Sequence, residues 1–215
     1  MIGRMFHKSL RKRFEDCYTA VPVPDAGARG TKLRYIYYAP WYLWDIPEKA
    51  LRRRKYELLL SSAAGLGLSL MLMAHRSAIH AIPIVFLAFA LMLCCHIYEL
   101  RGVLQFFAAR YRTTKMTYED VNNILSVAPV LRVIFSCVPV TASVIWFVIF
   151  KGERTLLLEA LGYALSAALG VWVYLRYHRI PMRTEENDNL KQCDENTDPA
   201  GELHCKAAGQ DEVML

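Results

Sequence analysis

The sequence predicts an all-α integral membrane protein whose four transmembrane helices form two antiparallel hairpins, with both termini cytoplasmic and short amphipathic cytoplasmic helices. Three observations carry this expectation. The 215-residue chain is 54% hydrophobic and 21% charged, with a mean hydropathy of +0.19. Four blocks, 58–74, 78–98, 130–150 and 155–175, are nearly free of charge, and each is close to the ~20 residues a helix needs to cross the hydrocarbon layer. The basic residues crowd to one side of those blocks. A span must satisfy its own backbone, and these blocks lack the polar alternation of barrel strands, so helices are expected.

The chain carries 26 Lys/Arg and 20 Asp/Glu, a net charge of +6. Residues 1–182 hold 23 basic against 11 acidic residues, and residues 183–215 hold 3 against 9. A basic body beside apolar spans points to anionic lipid, and no soluble nucleic-acid module is recognisable, so no nucleic acid is expected as a partner. Counted by connection, 23 basic residues, Arg132 among them, fall on one side of the four spans and 3 (Arg76, Lys151, Arg154) on the other. The positive-inside bias then places both termini in the cytoplasm of a plasma or cytoplasmic membrane. Outer connections of a few residues leave no room for an external catalytic domain or a receptor surface for large ligands.

Three regions follow: a basic cytoplasmic leader at 1–55, a transmembrane domain at 56–182 with an inner loop at 99–129, and an acidic, disordered tail at 183–215. The long basic leader before the first apolar block does not read as a signal peptide, so the leader is expected to stay cytoplasmic. Cys94, Cys95 and Cys137 lie within apolar blocks, while Cys17, Cys193 and Cys205 lie in cytoplasmic segments, and no disulfide framework is expected.

In the leader, Val21-Pro-Val-Pro24 with Gly27 and Gly30 reads as a loop. The aromatic run at 35–44 then reads as an interfacial anchor, with Trp41 and Trp44 at headgroup level. Asp45 is positioned to cap a helix that starts near Pro47 and Glu48 and runs into span one. On it, Arg52, Arg53, Arg54 and Lys55 are placed to meet lipid headgroups, at about 1 kcal/mol each. In the inner loop, Thr117 is a second cap, and Val121, Ile124, Leu125 and Ala128 recur at helical spacing, giving an amphipathic helix that ends at Pro129.

Charged and polar groups in the spans are the candidate functional residues. Glu159 lies about one turn from the outer end of span four, and Arg154 or Lys151 is within reach as an ion-pair partner. Glu99 and His96 lie near the inner end of span two and read as an interfacial polar end. Spans one and four carry small residues four apart, Ser61 with Gly65, Ala63 with Gly67, and Gly162, Ser166 and Gly170 in series, a pattern that predicts close packing of these two spans. Pro139 predicts a kink in span three, with Ser136, Thr141 and Ser143 as compensating donors.

No catalytic, cofactor or metal site is expected. Cys193 is far from His204-Cys205, His75 and His80 alone do not make a site, and phosphate-loop, metalloprotease-helix and nucleophile-elbow motifs are missing. The sequence therefore predicts a non-enzymatic multi-pass protein, a scaffold, accessory or regulatory subunit bound to another membrane protein or to copies of itself. The alternative is a small oligomeric transporter or channel using Glu159 and the small-residue face of span four.

Overall fold

A computed structural model describes residues 17–24, 31–75, 78–149 and 154–187. Four helices dominate it: α1 (Glu48–Ala74), α2 (Pro83–Ala108), α3 (Lys115–Ile149) and α4 (Arg154–His178), with a short 3-10 turn at Ala78–Ala81 before α2. All four are long and apolar enough to cross a membrane. Short strands accompany them: β1 (Tyr18–Pro24), β2 (Thr31–Tyr37), β3 (Trp41–Trp44), β4 (Arg112–Thr113) and β5 (Met182–Glu185). The chain forms two compact units, one from 43–113 and 117–183, the other from the described parts of 1–42, 114–116 and 184–215.

In the helical unit each helix turns one stripe inward at heptad-like spacing. On α1 the stripe is Leu51, Leu58, Ser62, Gly65, Ser69 and Leu72; on α4 it is Leu156, Glu159, Tyr163, Ser166, Gly170, Val173 and Tyr177. Spacings of three and four keep such a stripe on one face, which lets α1 pack against both α2 and α4. The opposite faces expose large apolar residues such as Leu60, Met71, Ile84, Leu87, Val148 and Leu158, as a lipid-facing surface requires.

The interior has three layers. One apolar cluster joins Trp44, Leu51, Leu58, Val103, Phe106, Val121, Leu125, Val173 and Tyr177; we call this the terminal end, because α1 starts and α4 finishes there. A second joins Leu72, Ile79, Phe89, Met92, Leu156 and Tyr163 at the turn end, where α1 finishes. Between them the inward positions are small or polar: Ser62, Gly65 and Ser69 on α1, His96 and Glu99 on α2, Arg132 and Ser136 on α3, and Ser166 and Gly170 on α4.

Several expectations need correction. α1 begins at Glu48 with Pro47 at its N-cap and no side-chain cap, so Asp45 does not cap it. The inner-loop helix and span three are one element, because α3 runs through both Pro129 and Pro139. Its start is held by packing, since Val121 and Leu125 belong to the terminal cluster, and Thr117 lies within the helix. Ser136 and Thr141 donate to the carbonyls of Arg132 and Cys137, both at 2.7 Å. Those bonds tie the turns flanking Pro139 back onto their own helix.

The aromatic run forms strands, as alternating aromatic residues favour. Trp44 is 1% exposed and meets Phe106 edge-to-face at 4.9 Å between ring centroids, so it is a core residue and no headgroup anchor. Lys55 also turns inward. Its Nζ donates to the carbonyl of Phe107 at 3.2 Å and to that of Ala109, at the C-terminal end of α2, where the helix dipole favours a cation. Lys55→Met should lower stability by about 0.5–1 kcal/mol, read as a small shift in thermal unfolding. Arg52 and Arg53 stay exposed, Arg53 pairing with Glu57 at 3.0 Å.

In the second unit, β1 and β2 pair antiparallel from Tyr18 opposite Tyr37 to Pro24 opposite Thr31. The prolines of β1 suit an edge strand. Tyr37 is buried, donates to the Pro40 carbonyl at 2.8 Å and accepts from the Lys115 backbone N–H at 3.0 Å; burial pushes its phenol up to about 12. Asn187 is also buried, with Nδ2 donating to the Tyr37 carbonyl at 2.9 Å, so the start of the acidic tail is ordered. Gly27, Gly30, Arg76, Lys151, Cys193, His204 and Cys205 lie outside the described residues.

Candidate functional site

The polar middle layer is built by all four helices around Arg132. Its Nη1 donates to both Glu99 oxygens, at 2.8 and 2.9 Å, and contacts His96 Nδ1 at 3.1 Å. Its Nη2 donates to the Ser166 carbonyl at 2.8 Å. Arg132, Glu99, His96, Ser69 and Ser166 are all 0% exposed. Desolvating two charges is costly unless they are paired and bonded to further dipoles. This cluster supplies both.

The arginine sets the imidazole tautomer. A guanidinium donates only, so His96 Nδ1 must accept and Nε2 must carry the hydrogen. Nε2 then donates toward Ser69 Oγ at 2.9 Å and Ser166 Oγ at 3.1 Å, and the Ser69 hydroxyl donates to the Gly65 carbonyl at 3.0 Å. The two Nη groups of Arg132, His96 Nε2 and the Ser69 hydroxyl each meet an acceptor, and these bonds tie α1, α2, α3 and α4 to one another. Among the described residues, Arg132 Nε alone of the guanidinium nitrogens has no partner.

Two glycines make the space. A Cβ on Gly170 would lie 2.8 Å from Arg132 Nε, and one on Gly65 would lie 3.1 Å from His96 Cε1 and 3.3 Å from Arg132 Nη1. The small residues of spans one and four therefore accommodate a charged side chain from α3. Gly162 instead abuts Leu72, with a Cβ-to-Cδ2 distance of 2.8 Å, and Gly67 has nothing within 4 Å. Ser61 bonds the carbonyl of Glu57 within its own helix, at 2.8 Å.

A second polar group lies at the turn end. Glu159 is 2% exposed, and His75 Nε2 approaches its Oε1 at 3.4 Å from a half-exposed position. Neither Glu159 oxygen has a hydrogen-bond partner among the described residues. One turn along α4, the fully buried Tyr163 bonds His80 Nε2 at 2.7 Å. Leu72, Phe89 and Met92 separate this group from the Arg132 cluster.

Sequence reasoning placed Glu159, Glu99 and His96 near water, and the structure buries all three. α2 continues nine residues beyond Glu99, to Ala108, about 14 Å of helix at 1.5 Å per residue, so its polar pair lies well inside the bundle. The reading brought Glu99 and His96 forward but missed Arg132, which it counted as an orienting charge, and also Ser69 and Tyr163. A carboxylate at the edge of one apolar block and an arginine inside another were the available signal. Pro139 is buried in α3, and Trp41 packs on Tyr37 at 4.8 Å in the other unit.

Chemically, the Arg132 cluster is a closed electrostatic lock. The described residues contain no group of three His, Cys, Asp or Glu side chains suited to a metal ion. No protein-family model, curated protein or solved structure matches the chain, so any functional reading stands on this geometry.

Proposed function

We propose that the chain is a non-enzymatic multi-pass membrane protein acting as a scaffold, accessory or regulatory subunit of a membrane complex. The observation carrying this reading is the closure of the central ionisable groups on one another. Arg132 is committed to Glu99, His96 and Ser166, so the middle of the bundle is fixed in place, as a framework for others requires. In this reading the helices form two antiparallel hairpins in a plasma or cytoplasmic membrane. Both termini face the cytoplasm, and Arg52, Arg53 and Arg54 lie against anionic headgroups. The basic leader and acidic tail are then the surfaces offered to another membrane protein or to a second copy.

The test is mild-detergent purification of the tagged chain at native abundance, with mass spectrometry of co-purifying proteins and the mass of the intact complex. A stoichiometric second protein is expected. One observation favours the transporter or channel reading: Glu159 is buried beside a half-exposed histidine with neither oxygen hydrogen-bonded among the described residues, an arrangement suited to taking up a proton or small cation. Glu159→Gln is expected to leave complex composition and every measured flux unchanged. A pure homo-oligomer whose flux disappears in Glu159→Gln would replace the accessory reading with the transporter.

A further inference from the structure

Seven residues before the C-terminal end of α2, Arg101 is exposed and makes no hydrogen bond or ion pair among the described residues. Glu99 is only two positions away, but residues two apart on a helix do not face each other, and Glu99 is turned inward to Arg132. Arg101 therefore stands on the outer face of the bundle, about 10 Å from the end of α2. Beside it Ile97 is 58% and Leu104 50% exposed. These two side chains, with Leu100 and Ala108, line a groove of about 480 Å³ around the arginine. The groove follows one side of α2 for about three turns, or about 17 Å of helix. On the reading of α2 as a membrane span, a bare guanidinium here meets hydrocarbon, where a charge is costly unless it is paired.

Direction and supply decide where the counter-charge comes from. The Cα–Cβ bonds of a helix tilt toward its N-terminus, which for α2 is the turn end, so Arg101 leans into the span and away from the terminal surface. No second Lys or Arg lines the groove, whereas sites for anionic headgroups gather several basic residues. A second copy does not supply the charge either. Glu57 is held by Arg53 at 3.0 Å and by Arg176 at 3.4 Å, Glu99 is enclosed with Arg132, and Glu159 is 2% exposed. Glu48, Glu119 and Asp120 lie in the opening turns of α1 and α3, on the terminal side of Ile124, the α3 residue beside Gly102. Two copies joined symmetrically through this face would set Arg101 against Arg101. The carboxylate that fits comes from the apolar helix of another protein.

We propose that this groove seats a transmembrane helix of a different membrane protein, one that carries an Asp or Glu facing Arg101 within an otherwise apolar stretch. Its carboxylate accepts from the guanidinium, and its apolar side chains lie along Ile97, Leu100 and Leu104. The proposal rests on the accessory-subunit reading and adds to the leader and tail a surface within the membrane.

The test places a photoreactive benzophenone side chain at Leu104 of the tagged full chain, crosslinks in intact membranes and maps the adduct by mass spectrometry. The same probe at Leu158, exposed near the start of α4, controls for random collision. The expected adduct at Leu104 is an apolar segment of a second protein with an Asp or Glu within about two turns of the linked residue. Arg101→Glu should cut that adduct at least about ten-fold, because like charges then meet, and changing the mapped carboxylate to Arg in the second protein should restore it. Arg101 has no partner of its own, so its variants should unfold at the wild-type temperature; if Arg101→Glu fails to insert, Arg101→Gln removes the charge alone and should also lower the adduct. Adducts on lipid, on a second copy or on a helix without a carboxylate would overturn the proposal, as would an adduct indifferent to Arg101→Glu. A second protein that co-purifies undiminished with Arg101→Glu would place docking elsewhere and leave the accessory reading intact. No second protein with the wild type would overturn that reading itself.

Discussion

Arg132→Leu should destabilise the protein by about 3–5 kcal/mol, because it leaves the Glu99 carboxylate in the bundle interior without its counter-charge. The loss goes beyond Coulomb attraction. His96 Nδ1 loses the donor 3.1 Å away, and the Ser166 carbonyl loses its bond to Nη2. The double variant Arg132→Leu/Glu99→Leu should recover most of that stability, since apolar side chains of similar volume replace a buried ion pair at little net cost. Reversible unfolding by denaturing detergent in bicelles measures all three proteins. A single variant as stable as wild type would mean that the pair is hydrated and that the cluster is no lock.

Two glycines that look alike in sequence should respond with opposite signs. In Gly170→Ala the new methyl would stand 2.8 Å from Arg132 Nε and 3.0 Å from Nη2, so the guanidinium must shift from Glu99. Overpacking of this kind costs about 1–3 kcal/mol, and here it also weakens the ion pair. In Gly67→Ala nothing lies within 4 Å of the new atom, and alanine favours the helix by up to about 1 kcal/mol. The same unfolding measurement should therefore show a loss for the first and no loss for the second. Equal losses would show that both sites are helix contacts and that Gly170 has no special relation to the arginine.

The four spans were legible because hydropathy depends on composition, and composition sets whether a helix is stable in lipid. The middle layer was not, because it depends on the register between helices. Glu99 and His96 follow the apolar run 83–95, so a window average places them near an edge, while α2 continues to Ala108. Arg132 was visible as a charge, and the basic-residue count assigned it a purely topological role. Its partner lies 33 positions earlier in the chain, and no local pattern links the two. The aromatic run misled for a related reason. Tryptophan and tyrosine favour interfaces and strands alike, and only the neighbours of Trp44, Phe106 and Tyr177, decide between them. Proline at position 129 suggested a boundary, but the packing of Val121 and Leu125 carried the helix through it.

The division of the ion pair between the two halves of the chain constrains biogenesis. Glu99 is made with the first pair of helices and Arg132 with the second, so neither half is electrically complete. If the helices enter a membrane as two pairs, as proposed above, the first pair does so with a carboxylate that lacks its counter-charge and the second with a guanidinium that lacks its carboxylate. Each half alone would then leave one charge of the pair uncompensated, at a cost that joining removes. Two halves expressed as separate polypeptides have a strong electrostatic reason to find one another, and a surplus of either remains marked by its unpaired charge.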